Sequence, residues 1–376
     1  MPEEEIQVEE GVPEGGRRFS YCSLPEVPEP ELPPDVNPNR AALILLLANK
    51  WVNGTVLHYY FFDQETDGET VWFADGTTAW RSWTTHEEEK DVVRKAFQIW
   101  KDVNIGLDFK EVSSRDEAEV RIGFMRGDGA WSYVGRGILD YGPDERTMNF
   151  GWDLTRYPEE IDTAVHEIGH TLGLPHEHQN PFAGIEWNEE AVYEKLAQPP
   201  NSWSKDKTFY NILRKITADT VQGSNWDPNS IMHYPFEAGM IVKPEEYKNG
   251  LFPEPGLSDR DKAWVRAFYP ALPDEVPELK PYQSQPLAIP PGGQSNFVIL
   301  PTSTRYYEMR TFGPSDTVMV LFEDEDGELR YRTADDDSGE DTNAQIRLKL
   351  IKGHKYVLRV RLYYAERSGE TALMMW

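Results

Sequence analysis

Apolar positions change period several times along this chain, and each change marks an element. Val92, Val93, Ala96, Phe97 and Trp100 recur at helical spacing, which predicts an amphipathic helix over residues 86–103. Thr85 and Glu88 stand at its start with the spacing of a capping box. Val120, Ile122 and Phe124 alternate with Glu119, Arg121 and Gly123, the period of a half-buried strand. VLHYYFF from Val56 and TMNFGW from Thr147 also read as strands. Ile161, Val165, Ile168 and Leu172 give a second helix its buried side, starting near Pro158 with Glu159 and Glu160 in its first turn. Asn188 to Ala218 reads as mixed helix and loop. Residues 257–270 read as a final helix capped by Ser258 or Asp259 and stopped by Pro270.

Beyond a Pro-rich joint, the runs NFVIL, RYYEMR, TVMVLFED, ELRYRTA, QIRLKLI, KYVLRVRLYY and TALMMW alternate between turn residues, as in a β-sandwich. The expected organisation is an arm over 1–47, an α+β domain over 48–272 and an all-β sandwich over 280–376. The first 40 residues are rich in Glu and Pro, which favours a loosely packed extended arm. The apolar run Ala41–Ala48 must pack on something.

The chain has 376 residues and a formal net charge of −27. That charge argues against nucleic acid or an anionic membrane as partner, and a monomer is expected. Cys22 is the single cysteine, so no intramolecular disulfide can form. No run is long enough for a membrane-spanning helix. The acidic start MPEEEIQVEEG lacks the basic and apolar parts of a secretory signal; compartment stays open.

The run AVHEIGHTLGLPHEHQ carries the chemistry. His166 and His170 stand four apart, on one face of a helix, so both can reach one metal ion. Glu167 can reach a water held by that metal. Gly173 permits positive φ, which ends the helix and turns the chain back, and His176 arrives as a third nitrogen ligand. Three protein ligands leave a fourth position open, the mark of a catalytic rather than structural zinc site. His178 and His233 are weaker ligand candidates.

Further on stands Ser230-Ile231-Met232-His233-Tyr234. Together with His166 to His176 it resembles the metzincin zinc endopeptidases and, within them, the astacin family in a divergent microbial form. WVNGTVLHYYF resembles the start of that family's catalytic domain, and GAWSYVGR (129–136) resembles its substrate-binding edge strand. The resemblance implies zinc on His166, His170 and His176, with Glu167 as general base. It implies Met232 packed beneath the ligands as the Met-turn and Tyr234 as a displaceable ligand that stabilises the oxyanion. The substrate would be a protein or peptide, and secretion is expected from the resemblance alone. Glu177 would contact a mature amino terminus. The missing disulfides and the Gln179-Asn180-Pro181-Phe182 segment depart from the animal members.

Cys22 is either an ordinary packed or surface thiol, or a latency ligand that fills the fourth metal position and makes the chain a zymogen; Asp35 is a rival for that role. The sandwich weakly resembles bacterial pre-peptidase C-terminal domains. Its Asp335, Asp336 and Asp337 form either a solvated turn or a calcium loop. The alternatives to an enzyme are a non-catalytic metal-binding protein, or a matrix- or sugar-binding protein acting through the sandwich.

Overall fold

The computed structural model describes residues 20–25, 50–51, 53–73, 75–216, 226–272, 276–325, 327–364 and 367–376. Asp35 and the apolar run 41–48 lie outside the described residues. The architecture is α+β followed by an all-β sandwich.

The first sheet has the strand order β4-β1-β5-β7-β6. It comprises β1 (Val56–Phe61), β4 (Asp108–Glu111), β5 (Val120–Gly123), β6 (Trp131–Ser132) and β7 (Met148–Asn149). All its pairs are parallel except β6 with β7. A parallel strand is covered on both faces, and β1 obeys. Leu57, Tyr59 and Phe61 enter the main core, while Tyr60 and Phe62 enter a smaller one with Trp83. The exposed hairpin β2 (Gly68–Trp72) and β3 (Thr78–Ser82) stands apart from this sheet.

Helix α1 (Glu87–Asp102) packs Val93, Ala96, Phe97 and Trp100 into the main core, as the periodicity requires. The expected capping box is absent, because no side chain caps the helix. Thr85 hydrogen-bonds Glu89 instead, and Glu89 is completely buried against Arg126 and the backbone N–H of Leu154. Tertiary pairing overrides the local motif.

Helix α2 (Ile161–Thr171) follows a single turn of 3₁₀ helix from Pro158. It ends in a Schellman motif. Gly173, at φ +91°, donates to the His170 carbonyl, and Leu174 donates to the Gly169 carbonyl at 3.0 Å. The remaining carbonyls at this end are also engaged. Trp51 Nε1 donates to Thr171 O and Tyr269 Oη to Leu172 O, each at 2.8 Å. Trp100 Nε1 donates to Val165 O at 2.9 Å and fastens α1 to α2. A Cβ on Gly169 would run into Met232 Sδ, so glycine lets the thioether lie against the helix between its two histidines.

Three shorter segments build a second apolar core: helix α3 (Glu189–Leu196), and the strand pairs β8 (Glu186–Trp187) with β10 (Ile241–Lys243) and β9 (Phe236–Glu237) with β11 (Gly250–Leu251). Helix α4 (Asp259–Phe268) starts with a capping box between Ser258 and Asp261.

The sandwich has two four-stranded antiparallel sheets. One is β12 (Gln285–Ile289), β19 (Gly369–Met375), β14 (Arg305–Phe312) and β17 (Gln345–Leu350), in that order. The other is β13 (Gln294–Ile299), β18 (Lys355–Leu362), β15 (Thr317–Glu325) and β16 (Glu328–Asp335). Alternate residues such as Met319, Leu321, Leu358 and Val360 fill the space between them. Arg359, on the outer face of β18, donates to Gly54 O, and Gln294 Nε2 donates to Asn53 O at 2.9 Å, which docks the sandwich on the first unit. Asp335 closes its loop by accepting from the N–H groups of Ser338 and Gln345. Asp335–Asp337 are absent from the metal-ligand groupings among the described residues.

Gly169→Ala is expected to lower stability by about 1–3 kcal/mol through overpacking. Met232→Ala in the same chain should recover part of that loss, and a double-mutant denaturation cycle reads the coupling. Lys50 is buried with its ammonium 4.5 Å from the Phe268 ring centre. Burial first, then Arg361, lowers its pKa from 10.5 to about 8. Between those values the unfolded chain holds the proton more tightly, so Lys50 destabilises the fold at pH 7 and the penalty fades as pH rises from 8 to 10.5. Lys50→Met should therefore be more stable than the parent at pH 7 by on the order of 2 kcal/mol. That advantage should shrink towards pH 10.5 in thermal melts.

Candidate active site

The Nε2 atoms of the three predicted ligands converge. His170 Nε2 lies 3.1 Å from His166 Nε2 and 3.1 Å from His176 Nε2. Nitrogens sharing a tetrahedral zinc at roughly 2.0–2.1 Å stand about 3.3 Å apart. Tautomers follow from the outer ring atoms. His166 Nδ1 is 2.7 Å from Ile231 O, and His170 Nδ1 is 2.7 Å from Leu174 O. A carbonyl only accepts, so both Nδ1 atoms carry the proton and both Nε2 atoms present lone pairs. All three rings are buried, which holds them neutral; burial lowers His166 to about 4. The lone pairs of His166 and His170 face each other at 3.1 Å and repel unless a cation lies between them. The donor set thus fits a divalent metal with a preference for nitrogen ligands.

Local folding explains the placement. One helical turn separates His166 from His170. The Schellman turn at Gly173 places Leu174 O where His170 Nδ1 needs an acceptor, and Pro175 then leads to His176. The loop from Asp227 to Tyr234 closes the site from below. Asp261 accepts from Ile231 N at 2.8 Å and Ser230 Oγ at 2.6 Å, which fixes the carbonyl that orients His166. Met232 Sδ lies against Gly169 of the helix.

Glu167 is fully buried, and its Oε1 has no hydrogen-bond partner. Burial pushes its carboxyl up to about 8; a cation at the three nitrogens would draw it down again. Tyr234 Oη lies 2.6 Å from His176 Nε2 and donates to the backbone carbonyl of Cys22 at 2.6 Å. His178 and His233 turn away. His178 Nε2 donates to Asn211 O, and His233 Nδ1 to Tyr234 O. Glu177 accepts from Asp227 N and Asn180 Nδ2, and burial raises it to about 7.

Of the arm, residues 20–25 are described, and part of that segment is packed. Tyr21, Cys22 and Ser23 are buried in the cleft. Ser23 N donates to Ala130 O at 3.0 Å, so this segment meets edge strand β6 at its start. That strand, predicted from GAWSYVGR, is tied to the metal helix through Ser132 Oγ and Thr171 Oγ1, 3.1 Å apart. Cys22 Sγ lies 3.6 Å from His170 Nε2 and 3.5 Å from Glu167 Oε2. Cys22, His166, His170 and His176 form one group of ligand atoms, all within 4.8 Å of one another. A second group, His86, Glu89 and Asp153, is spoken for by Arg126 on Glu89.

Sequence reasoning missed Gly169, Asp261, Trp51 and Tyr269. Gly169 was visible inside the motif. The other three act from distant segments and left no local signal.

The family model for the Astacin peptidase family matches residues 64–243. Metalloendoproteinase 1-MMP of Arabidopsis thaliana is 30% identical over 144 residues, 33% of this chain and 39% of that protein. Tolloid-like protein 1 of Homo sapiens is 28% identical over 188 residues, 46% of this chain and 17% of that protein. The chain therefore spans well under half the length of these curated relatives. The solved structure of myroilysin superposes with a TM-score of 0.50 at 29% identity, covering 60% of this chain and 97% of that one. A pre-peptidase C-terminal domain of a Bacillus anthracis collagenase covers 28% of this chain at 15% identity with a TM-score of 0.24, too low to say more about the sandwich than its own strands do. Residues 64–243 thus match the Astacin peptidase family model, and the metal-ligand motif and the Met-containing turn both lie inside that match.

Proposed function

We propose that this protein is a zinc-dependent endopeptidase, held latent by its own amino-terminal arm. The convergence of three Nε2 atoms, those of His166 and His170 unprotonated, beside the unpartnered Oε1 of Glu167 carries the proposal. Structural metal sites have no use for a free buried carboxylate, which weighs against a non-catalytic metal-binding protein. A zinc ion on His166, His170 and His176 supplies a Lewis acid and lowers the pKa of water to about 7.

The chain's own residues do the rest. Edge strand β6 offers its free side to an extended peptide, as Ala130 at its start does to Ser23. Glu167 takes the proton of the attacking water and passes it to the leaving amine. Tyr234 already donates to a backbone carbonyl at the site, that of Cys22. It would donate likewise to the oxygen on which negative charge develops.

Cys22 acts as the latency ligand on this proposal. A thiolate and an imidazole on one tetrahedral zinc stand about 3.6 Å apart, given Zn–S near 2.3 Å. Cys22 Sγ and His170 Nε2 are 3.6 Å apart. Burial alone pushes the thiol's pKa well up; a divalent cation reverses that preference and favours the thiolate.

Glu167→Gln is expected to retain one zinc per chain while casein hydrolysis falls about 10²–10⁴-fold. Loss of zinc, or unchanged turnover, would sink the assignment of the base. Cys22→Ala should hydrolyse casein faster than the parent chain from the first minutes, and a thiol-binding mercurial should activate the parent but not the variant. Equal initial rates for parent and variant would end the latency proposal.

A further inference from the structure

We infer that the pocket now filled by Tyr21 is a specificity pocket for an aromatic side chain of the substrate, next to the scissile bond. This rests on the endopeptidase reading and extends it to a substrate class. Tyr21 immediately precedes the residue at the metal site and is only 7% exposed. Its ring lies 5.2 Å from that of Tyr234, 6.1 Å from Phe236 in a stacked arrangement and 6.3 Å from Trp203. Its backbone N–H donates to Asn201 Oδ1 at 3.0 Å. The arm therefore makes the contacts that an extended substrate needs at this cleft. A backbone N–H pairs at the start of β6, a backbone carbonyl receives the Tyr234 hydroxyl, and one side chain enters a lined pocket.

The lining selects by shape and by charge. Phe236 is fully buried at the wall, and Trp203 and Tyr234 supply two further flat faces. Rings pack on such faces with centroids about 4.5–7 Å apart and gain more than their buried area alone provides. A small side chain would leave that space unfilled. Glu237, beside the pocket and paired with Lys195, disfavours a negative charge there; burial first, and then Glu237, raises the Tyr21 phenol above its ordinary range. The expected order is Tyr and Phe ahead of Leu, then Ala, with Asp and Glu last.

Three measurements on the full chain decide it. In the double variant Tyr21→Ala, Cys22→Ala, peptide libraries should show Tyr or Phe enriched at one position beside the cut. Replacing it by Ala should lower kcat/KM about tenfold or more, and adding Trp203→Leu should shrink that ratio. Cleavage indifferent to ring or methyl at both flanking positions overturns the inference and leaves the endopeptidase reading intact. Independently of turnover, the zinc-loaded double variant with Glu167→Gln should bind blocked Ser-Tyr-Ser about tenfold more tightly than blocked Ser-Ala-Ser by calorimetry. Equal affinity overturns it even where no peptide is cut. In the otherwise native chain, Tyr21→Ala should speed alkylation of Cys22 about tenfold or more, the fold-change expected of a lost ring anchor, and Tyr21→Phe should not. Alkylation of the alanine variant no faster than that of the parent removes Tyr21 as the anchor, and the pocket with it.

Discussion

Two carbonyl oxygens, Ile231 O and Leu174 O, decide what this site is. Each takes the Nδ1 proton of one helical histidine, and so each commits the opposite nitrogen of that ring to presenting a lone pair. Without those acceptors the imidazoles would be free to choose the other tautomer, and convergence of the rings would mean little. The rest of the framework keeps these two oxygens still. The turn at Gly173 positions one. The carboxylate of Asp261, itself held by the backbone N–H of the Ser258 cap of α4, positions the other through Ile231 N and Ser230 Oγ.

This division of labour explains what could be read from the chain and what could not. The spacing of His166, His170, Gly173 and His176 is local, and helix geometry alone converts it into a common focus. The strands β1 and β5, helix α1 and the sandwich strands were legible for the same reason, since periodicity reports burial. Asp261 lies 30 residues from the loop it holds, and Trp51 caps a helix 120 residues away. No pattern in a single sequence announces such pairs. The failed capping box at Thr85 shows the same limit in reverse. The motif was present, but Arg126 and Leu154 drew Glu89 inward and took Thr85 with it. In the arm, composition reported the abundance of Glu and Pro, while the burial of Tyr21, Cys22 and Ser23 in the cleft depends on partners far along the chain.

The sandwich is joined to the first unit by polar contacts under tight steric limits. Gly54, at φ +85°, has no room for a Cβ because the Arg359 guanidinium occupies that space. The guanidinium lies over Phe322 at 4.4 Å and is lowered to about 10 by burial. A buried cation facing a carbonyl and a ring is costly to expose halfway, because partial separation would leave it with neither water nor partners. The two units are therefore expected to part cooperatively rather than to slide.

Burial at the metal site and packing of the arm act on the same equilibrium. Glu167 is wholly enclosed, and part of that enclosure is the thiol of Cys22. Removing residues 21–23 would open the carboxylate, the Tyr234 hydroxyl and the start of β6 together, because one short segment covers all three. If Cys22 contributes a fourth donor to the ion, arm and metal must strengthen each other's binding by the same factor, as linkage demands. The arm would then hold most firmly in the metal-loaded chain, where restraint of the peptidase is needed, and loosen where the ion has been lost. A latency device built this way needs no separate sensor, since the catalytic ion itself reports that the site is armed.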